Sequence, residues 1–261
     1  MSFASLIAIT EPLDGGFALG VPETWHQGRT AYGGFSAAVA LSAALRVGGE
    51  GLAPLRSAVL SFVGPVYGVV EVRARVLRKG KNATWICAEL TREGDVVTTA
   101  TFVFMGPVES TLHINDCPPP AGLIAPEVAK VYQPHTFKPV FIGENFEVRF
   151  ALPRSDEKRP ELCWWLRLKD RSGLDPMTEI MLVADVLPPG VLSLLDPSTP
   201  ASSMTWQVNL FTPAPVTRDG WFLLRSTGDY AEQGCSSQRM NIWNADGAPM
   251  ASGMQSVAVF G

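Results

Sequence analysis

Two stretches of this chain replay one order of elements, and that repetition constrains the fold more than any other feature. In the first stretch a strand-like Phe17-Ala18-Leu19-Gly20-Val21 precedes Gly33-Gly34-Phe35. An Ala/Leu-rich run from Ser36 to Arg46 follows and reads as a buried helix. Four strand-like runs come next, at 56–63, 69–78, 83–92 and 96–105. Gly80-Lys81-Asn82 and Arg92-Glu93-Gly94-Asp95 are turn signals that join the later runs as hairpins. In the second stretch Asn145 to Ala151 and Cys163 to Leu168 read as strands. Asp175-Pro176 reads as a helix start, with proline at the first helical position. That helix is expected from Met177 to about Val186, stopped by Pro188-Pro189. Strand-like runs at 202–212, 221–229, 234–243 and 249–260 follow, the last two joined by Ala245-Asp246-Gly247.

The stretches can be laid on each other. Arg92-Glu93-Gly94 matches Ala245-Asp246-Gly247, and the strands after them end in Phe102-Val103-Phe104-Met105-Gly106 and Val257-Ala258-Val259-Phe260-Gly261. Strand, helix and four strands, twice over, is an α+β arrangement in which one sheet is expected to wrap each helix and the two units to pack together. Short hairpin turns make the pairing antiparallel, because parallel strands need a long crossover. The expected division is residues 1–106, a connector at 107–143 rich in proline (Pro118-Pro119-Pro120, Pro126, Pro134, Pro139), and residues 144–261. Charged residues are only 18% of the 261, against about a quarter in ordinary domains, so much of the surface is expected to be buried against a partner.

Several function classes drop out. A net charge of −4 leaves no basic surplus for nucleic acid or an anionic membrane surface. No run approaches the roughly 20 apolar residues that span a bilayer, and the first residues carry no basic signal region, so a cytoplasmic location is expected. The four cysteines, Cys87, Cys117, Cys163 and Cys235, form no CxxC pair and lie near no histidine, so no metal is expected and reduced thiols are. Gly-x-Ser-x-Gly, HExxH, a Walker loop and a GxGxxG after a strand are all missing.

The remaining candidates are few. Asp185 ends the apolar run Ile180 to Leu187, where a carboxylate is costly unless it is hydrogen-bonded; the plain alternative is a solvent-facing residue at a helix end. Gln255 falls where the overlaid first half has Phe102, so it is either a working amide or a structural one that needs partners. Thr205 leads an alternating strand, with Met204, Trp206, Val208 and Leu210 on one face and Thr205, Gln207 and Asn209 on the other. Gly33-Gly34 at a helix start either aims N–H groups at a carbonyl oxygen or makes a tight turn. His26, His113 and His135 sit beside no nucleophile signature.

On these residues the sequence resembles the thioesterase II (TesB-like) acyl-CoA thioesterases, double-hotdog proteins. Arg29-Thr30-Ala31-Tyr32-Gly33-Gly34-Phe35 is similar to that family's Gly-Gly helix start, and Leu182-Val183-Ala184-Asp185 to its helix carrying an aspartate. Leu60 to Pro65 and Val76 to Lys81 are similar to its central strand and hairpin. Thr205 to Pro215 fits its threonine-led strand, and Ala251-Ser252-Gly253-Met254-Gln255 its closing motif. The resemblance covers nearly the whole chain and is weakest at 107–143. It implies a double hotdog, no cofactor, and hydrolysis of an acyl-CoA by a water that Asp185, Thr205 and Gln255 orient, without metal or covalent intermediate. Gly33, Gly34 and Gln207 would contact substrate. Gln207 stands where the family often has an acidic residue, and Phe211-Thr212-Pro213-Ala214-Pro215 replaces its aromatic-His-Arg-Pro ending. The alternatives are a non-catalytic acyl- or CoA-binding hotdog and a hotdog hydratase, which pairs a histidine with a carboxylate. Sheet edges leave room for a homo-oligomer, a dimer or tetramer of double hotdogs.

Overall fold

The computed structural model of the chain describes residues 1–133, 139–196 and 198–260. The first half holds helix α1 (Phe3–Ala8), strands β1 (Glu11–Leu13), β2 (Gly16–Val21), β3 (His26–Gln27) and β4 (Thr30–Ala31), and helix α2 (Gly33–Gly48). Strands β5 (Leu55–Phe62), β6 (Gly68–Lys79), β7 (Ala83–Arg92) and β8 (Asp95–Met105) complete it. The second half holds α3 (Val140–Asn145), β9 (Phe146–Phe150), β10 (Glu161–Leu168) and α4 (Pro176–Ala184). It ends with β11 (Ala201–Leu210), β12 (Phe222–Glu232), β13 (Cys235–Asn244) and β14 (Pro249–Val259).

One sheet, not two, wraps the helices. Twelve strands run in the order β1-β2-β6-β7-β8-β5-β11-β14-β13-β12-β10-β9. The halves join where β5 pairs antiparallel with β11, with Ala58 opposite Val208 and Leu60 opposite Trp206. The pairing turns about the Val59–Gln207 pair, so the two halves meet as pseudo-symmetric copies through an edge strand of each, and these two become the centre of the sheet. Pairing between halves carries no local signal, which is why the repeat alone suggested a separate sheet for each helix.

The helices form where the sequence removes bulk or supplies caps. Residues 34–44 of α2 are all buried, five of them alanines, so sheet and second helix approach its backbone closely. Asp175 caps α4, its carboxylate accepting the Met177 and Thr178 N–H groups at 3.0 Å, with Pro176 opening the helix. The helix stops at Ala184, two residues earlier than its apolar run suggested, and Asp185 is the residue that ends it.

Strand alternation places the core. Along β6, Val70, Val72 and Ala74 are buried while Glu71 and Arg73 face water. The β7–β8 hairpin closes through Glu93 at φ 54° and Gly94 at φ 92°, the two left-handed positions of a type I′ turn. A smaller second core lies on the other sheet face, where the connector crosses β10, β12 and β13. There Leu123 and Ile124 cover Cys163, Trp165, Trp221, Leu223 and Trp243. The Trp165 indole donates to the Ile124 carbonyl at 2.7 Å and the Trp243 indole to Cys117 at 2.8 Å. No helix among the described residues is long and apolar enough to cross a membrane.

Candidate active site

The start of α2 and the end of α4 meet, and both glycines exist to allow it. A Cβ on Gly34 would stand 2.9 Å from the Leu182 carbonyl oxygen and 3.2 Å from that of Met181, so only glycine lets α2 pack on the last turns of α4. A Cβ on Gly33 would stand 2.4 Å from Asp185 Oδ2 and 2.7 Å from Phe62. Gly33 therefore keeps open the space beside the carboxylate. Tyr32, buried just before the helix, secures the junction by donating its hydroxyl to the Leu182 carbonyl at 2.9 Å.

Asp185 projects into this junction, partly buried. Its carboxylate is met by the Gly34 N–H and by the Gln255 side-chain amide, which donates to Oδ1. Burial pushes its pKa up to about 7, against the downward pull of the Gln255 and Gly34 hydrogen bonds. A carboxyl group balanced near neutrality is suited to take a proton from water. Beside it, burial and the Asp185 charge push the Tyr32 phenol well above its ordinary value, so it stays a neutral donor.

Gln255 is buried on the inward face of β14 and is itself held. Its Oε1 accepts from Gln238 Nε2 at 2.6 Å, and Gln238 sits directly opposite on β13. The oxygen of Gln238 accepts the Gly190 N–H and the Ser226 hydroxyl, each at 3.0 Å.

Two residues expected at the site are elsewhere. β11 carries a bulge between Ser203 and Thr205 where it pairs with β14. Beyond it Trp206 lies opposite Gln255 and is buried, as are Val208 and Leu210, while Thr205, Gln207 and Asn209 are exposed. Thr205 is flanked by Ser61 and Ser256, and Gln207 by the exposed Val59 and Met254. The structure thus puts Thr205 and Gln207 on the sheet face opposite Gln255 and Asp185. The bulged Met204 faces out as well, not inward with Trp206 as strict alternation required. Ser203 is the hydroxyl on the inward side: it lies opposite the fully buried Val257, two residues along β14 from Gln255. Ser203 and Gln255 are thus diagonal neighbours on adjacent strands, about 7–8 Å apart.

The model of the acyl-CoA thioesterase N-terminal domain matches residues 21–105, and that of the C-terminal domain matches residues 116–259. The chain belongs to the acyl-CoA thioesterase family. It is a thioester hydrolase with the double-hotdog form of the α+β class. A hot dog protein from Alicyclobacillus acidocaldarius superposes with a TM-score of 0.87 at 21% identity, covering 100% of this chain and 99% of that one. A Thermobifida fusca protein assigned as a thioesterase II gives 0.82 at 22% identity, covering 99% and 98%. An acyl-CoA thioesterase II from Mycobacterium marinum gives 0.75 at 16%, covering 99% and 97%. No match was found among curated proteins.

In this thioesterase the other sequence candidates lie apart from Asp185. His26 is in β3 and His113 is exposed in the connector, and neither hydrogen-bonds to the carboxylate; His135 lies outside the described residues. Cys163 is buried, Cys87 and Cys117 are half-buried and Cys235 is exposed. Trp165, Trp221 and Trp243 lie beneath the connector. A cavity of about 200 Å³ lies at the β9 edge against Tyr132, Phe146 and Arg149, and one of about 120 Å³ lies beside Trp25 and Asn145; neither is lined by Asp185 or Gln255.

Sequence reasoning missed Ser203, Gln238, Ser226 and Gly190. Two of them, Gln238 and Ser226, had a usable signal. Ser226 follows Phe222 and Leu224, and Gln238 precedes Met240 and Ile242, in inward strand phase, so polar residues stand where apolar ones belong. Ser203 had none, since the bulge that turns it inward has no residue signature.

Proposed function

We propose that this protein hydrolyses acyl-CoA in the cytoplasm by direct attack of a water that Asp185 activates. One observation carries the reading: a carboxylate with its pKa near 7 stands where the first turn of α2 meets an anchored amide. Asp185 takes a proton from the water as its oxygen adds to the thioester carbonyl carbon. The carbon–sulfur bond then breaks, and the proton passes from Asp185 to the departing thiolate, leaving a free acid and CoA thiol. A thioester is electrophilic enough to need no protein nucleophile and no metal.

Gln255 and Ser203 hold the water, the first from its place against the carboxylate and the second from the inward face beside it. Gly34 donates to Asp185, so it is not free for the role of oxyanion donor that its position suggested. The Gly33 N–H, one residue earlier in the same turn, is the donor for the developing oxyanion. Asp185, Gln255 and Gly33 thus keep the roles that the resemblance implies, and Ser203 takes the one it gave to Thr205.

A free-thiol assay over short, medium and long acyl-CoAs tests the reading. Release of CoA by the wild-type protein, lost in a folded Asp185→Asn variant, is the expected result. Release from no acyl-CoA would leave the non-catalytic binder, and turnover unchanged in the variant would remove Asp185 from the mechanism.

A further inference from the structure

Gln238 makes no hydrogen bond to Asp185, yet it is completely buried and hydrogen-bonded at both ends of its amide. A side-chain amide can be turned end for end at little steric cost, so its direction is set by its partners. Here the deciding partner is a main-chain N–H, which can only donate. The Gly190 N–H, 3.0 Å from Oε1, requires the oxygen end of Gln238 to face it, which leaves Nε2 facing Gln255. Gln255 must then offer its own oxygen to Gln238 and its Nε2 to Asp185. One backbone proton thereby sets the direction of two amides in series.

The arrangement is also closed on itself. Gly190 lies five residues after Asp185 on the same loop, across Pro188-Pro189. Asp185, Gln255, Gln238 and Gly190 make a ring of hydrogen bonds completed by that backbone. The loop is held there by close approach: a Cβ on Gly190 would meet the Pro160 carbonyl oxygen at 2.6 Å and that of Ser226 at 2.8 Å. Ser226 braces the same corner, its hydroxyl accepting from Gly190 and donating to Gln238.

We propose that Gln238 is a positioning residue for hydrolysis, holding Gln255 so that an N–H, and not a carbonyl oxygen, meets the Asp185 carboxylate. This rests on the reading of Asp185 as the general base. With Gln255 reversed, two oxygens would face each other and Asp185 would have to carry a proton between them. The base would then be lost at a pH where the native arrangement keeps it. Tyr32, from the start of α2, is the titratable group that faces Asp185, and it stays neutral. Phe62 from β5 and Gln255 from β14 do not ionise.

The test reads Asp185 directly, by carbon-13 NMR titration of its carboxylate in the full chain. Wild type is compared with Gln238→Met and Gln238→Leu, each of which removes both amide ends without adding a charge. Both variants are expected to move the Asp185 midpoint upward by about one pH unit. Acyl-CoA turnover at neutral pH should fall about tenfold with KM within about threefold, since the base is affected and substrate contacts are not. A folded variant with an unmoved midpoint overturns the proposal. If neither variant folds, the wild-type protein decides: the Gln255 side-chain NH2 signal must titrate together with Asp185, and an amide that ignores that titration overturns it equally. Absence of acyl-CoA turnover in wild type would remove the hydrolase reading alone, because the NMR midpoint tests Gln238 without it.

Discussion

Replacing Asp185 by asparagine should make the protein more stable above neutral pH while removing its base. The carboxyl group binds its proton more tightly folded than unfolded, with a pKa raised from 3.8 to about 7. Its contribution is therefore most favourable below about pH 4 and is lost as the pH rises through 7. Roughly three pKa units at ~1.36 kcal/mol each set a ceiling of ~4 kcal/mol. Between about pH 5 and pH 8 the same linkage gives at most ~2.6 kcal/mol, and partial exposure of the side chain lowers the expectation to about 2. Asparagine has no charge to bury, but it can offer an oxygen to only one of its two donors, Gln255 and Gly34, a cost of ~1 kcal/mol at either pH. The variant should thus gain on wild type by about 2 kcal/mol between pH 5 and pH 8 and be the more stable of the two near pH 8. Urea denaturation of both proteins at the two pH values, with equal m-values, measures the difference. A stability difference that does not change with pH would refute the reasoning, because the cost would then not come from ionising a buried carboxyl group.

Gly33→Ala places a methyl group against Asp185 Oδ2 and Phe62; it should cost ~1–3 kcal/mol in stability and lower kcat at least ~100-fold, checked by thermal melting and the free-thiol assay. Ser203→Ala should lower kcat by about tenfold or more, while Thr205→Ala, on the opposite sheet face, should stay within about twofold of wild type. Steady-state kinetics of the two variants side by side distinguish the faces, and the reverse order would return the role to Thr205.

Much of this fold was legible because local rules and the global arrangement agree. The alanine run of α2 cannot be a surface helix, Asp175-Pro176 caps a helix in its own first turn, and Glu93-Gly94 supplies a tight hairpin. Asp185 and Gln255 stood out for the opposite reason, as polar groups in apolar phase. What was hidden depends on distant partners or on backbone irregularity. The β5–β11 pairing joins residues about 150 positions apart, so the single sheet left no trace in either copy. The bulge at Met204 reverses the face of everything before it, so that Thr205 points away from Gln255 and Ser203 lies on the Gln255 side of the sheet. Gly190, Ser226 and Gln238 come from one loop and two strands, and only the folded chain shows that they act on Gln255.

Direct attack by water predicts a definite fate for the solvent oxygen, and opening of an acyl-aspartyl anhydride at the Asp185 carbonyl predicts another. With enzyme in excess over acyl-CoA in oxygen-18 water, a single turnover should give an acid product carrying one labelled oxygen, with Asp185 unlabelled. An unlabelled product from that first turnover, with the label found in the Asp185 carboxylate, would mean that Asp185 attacks the thioester itself, and water activation by this carboxylate would be wrong.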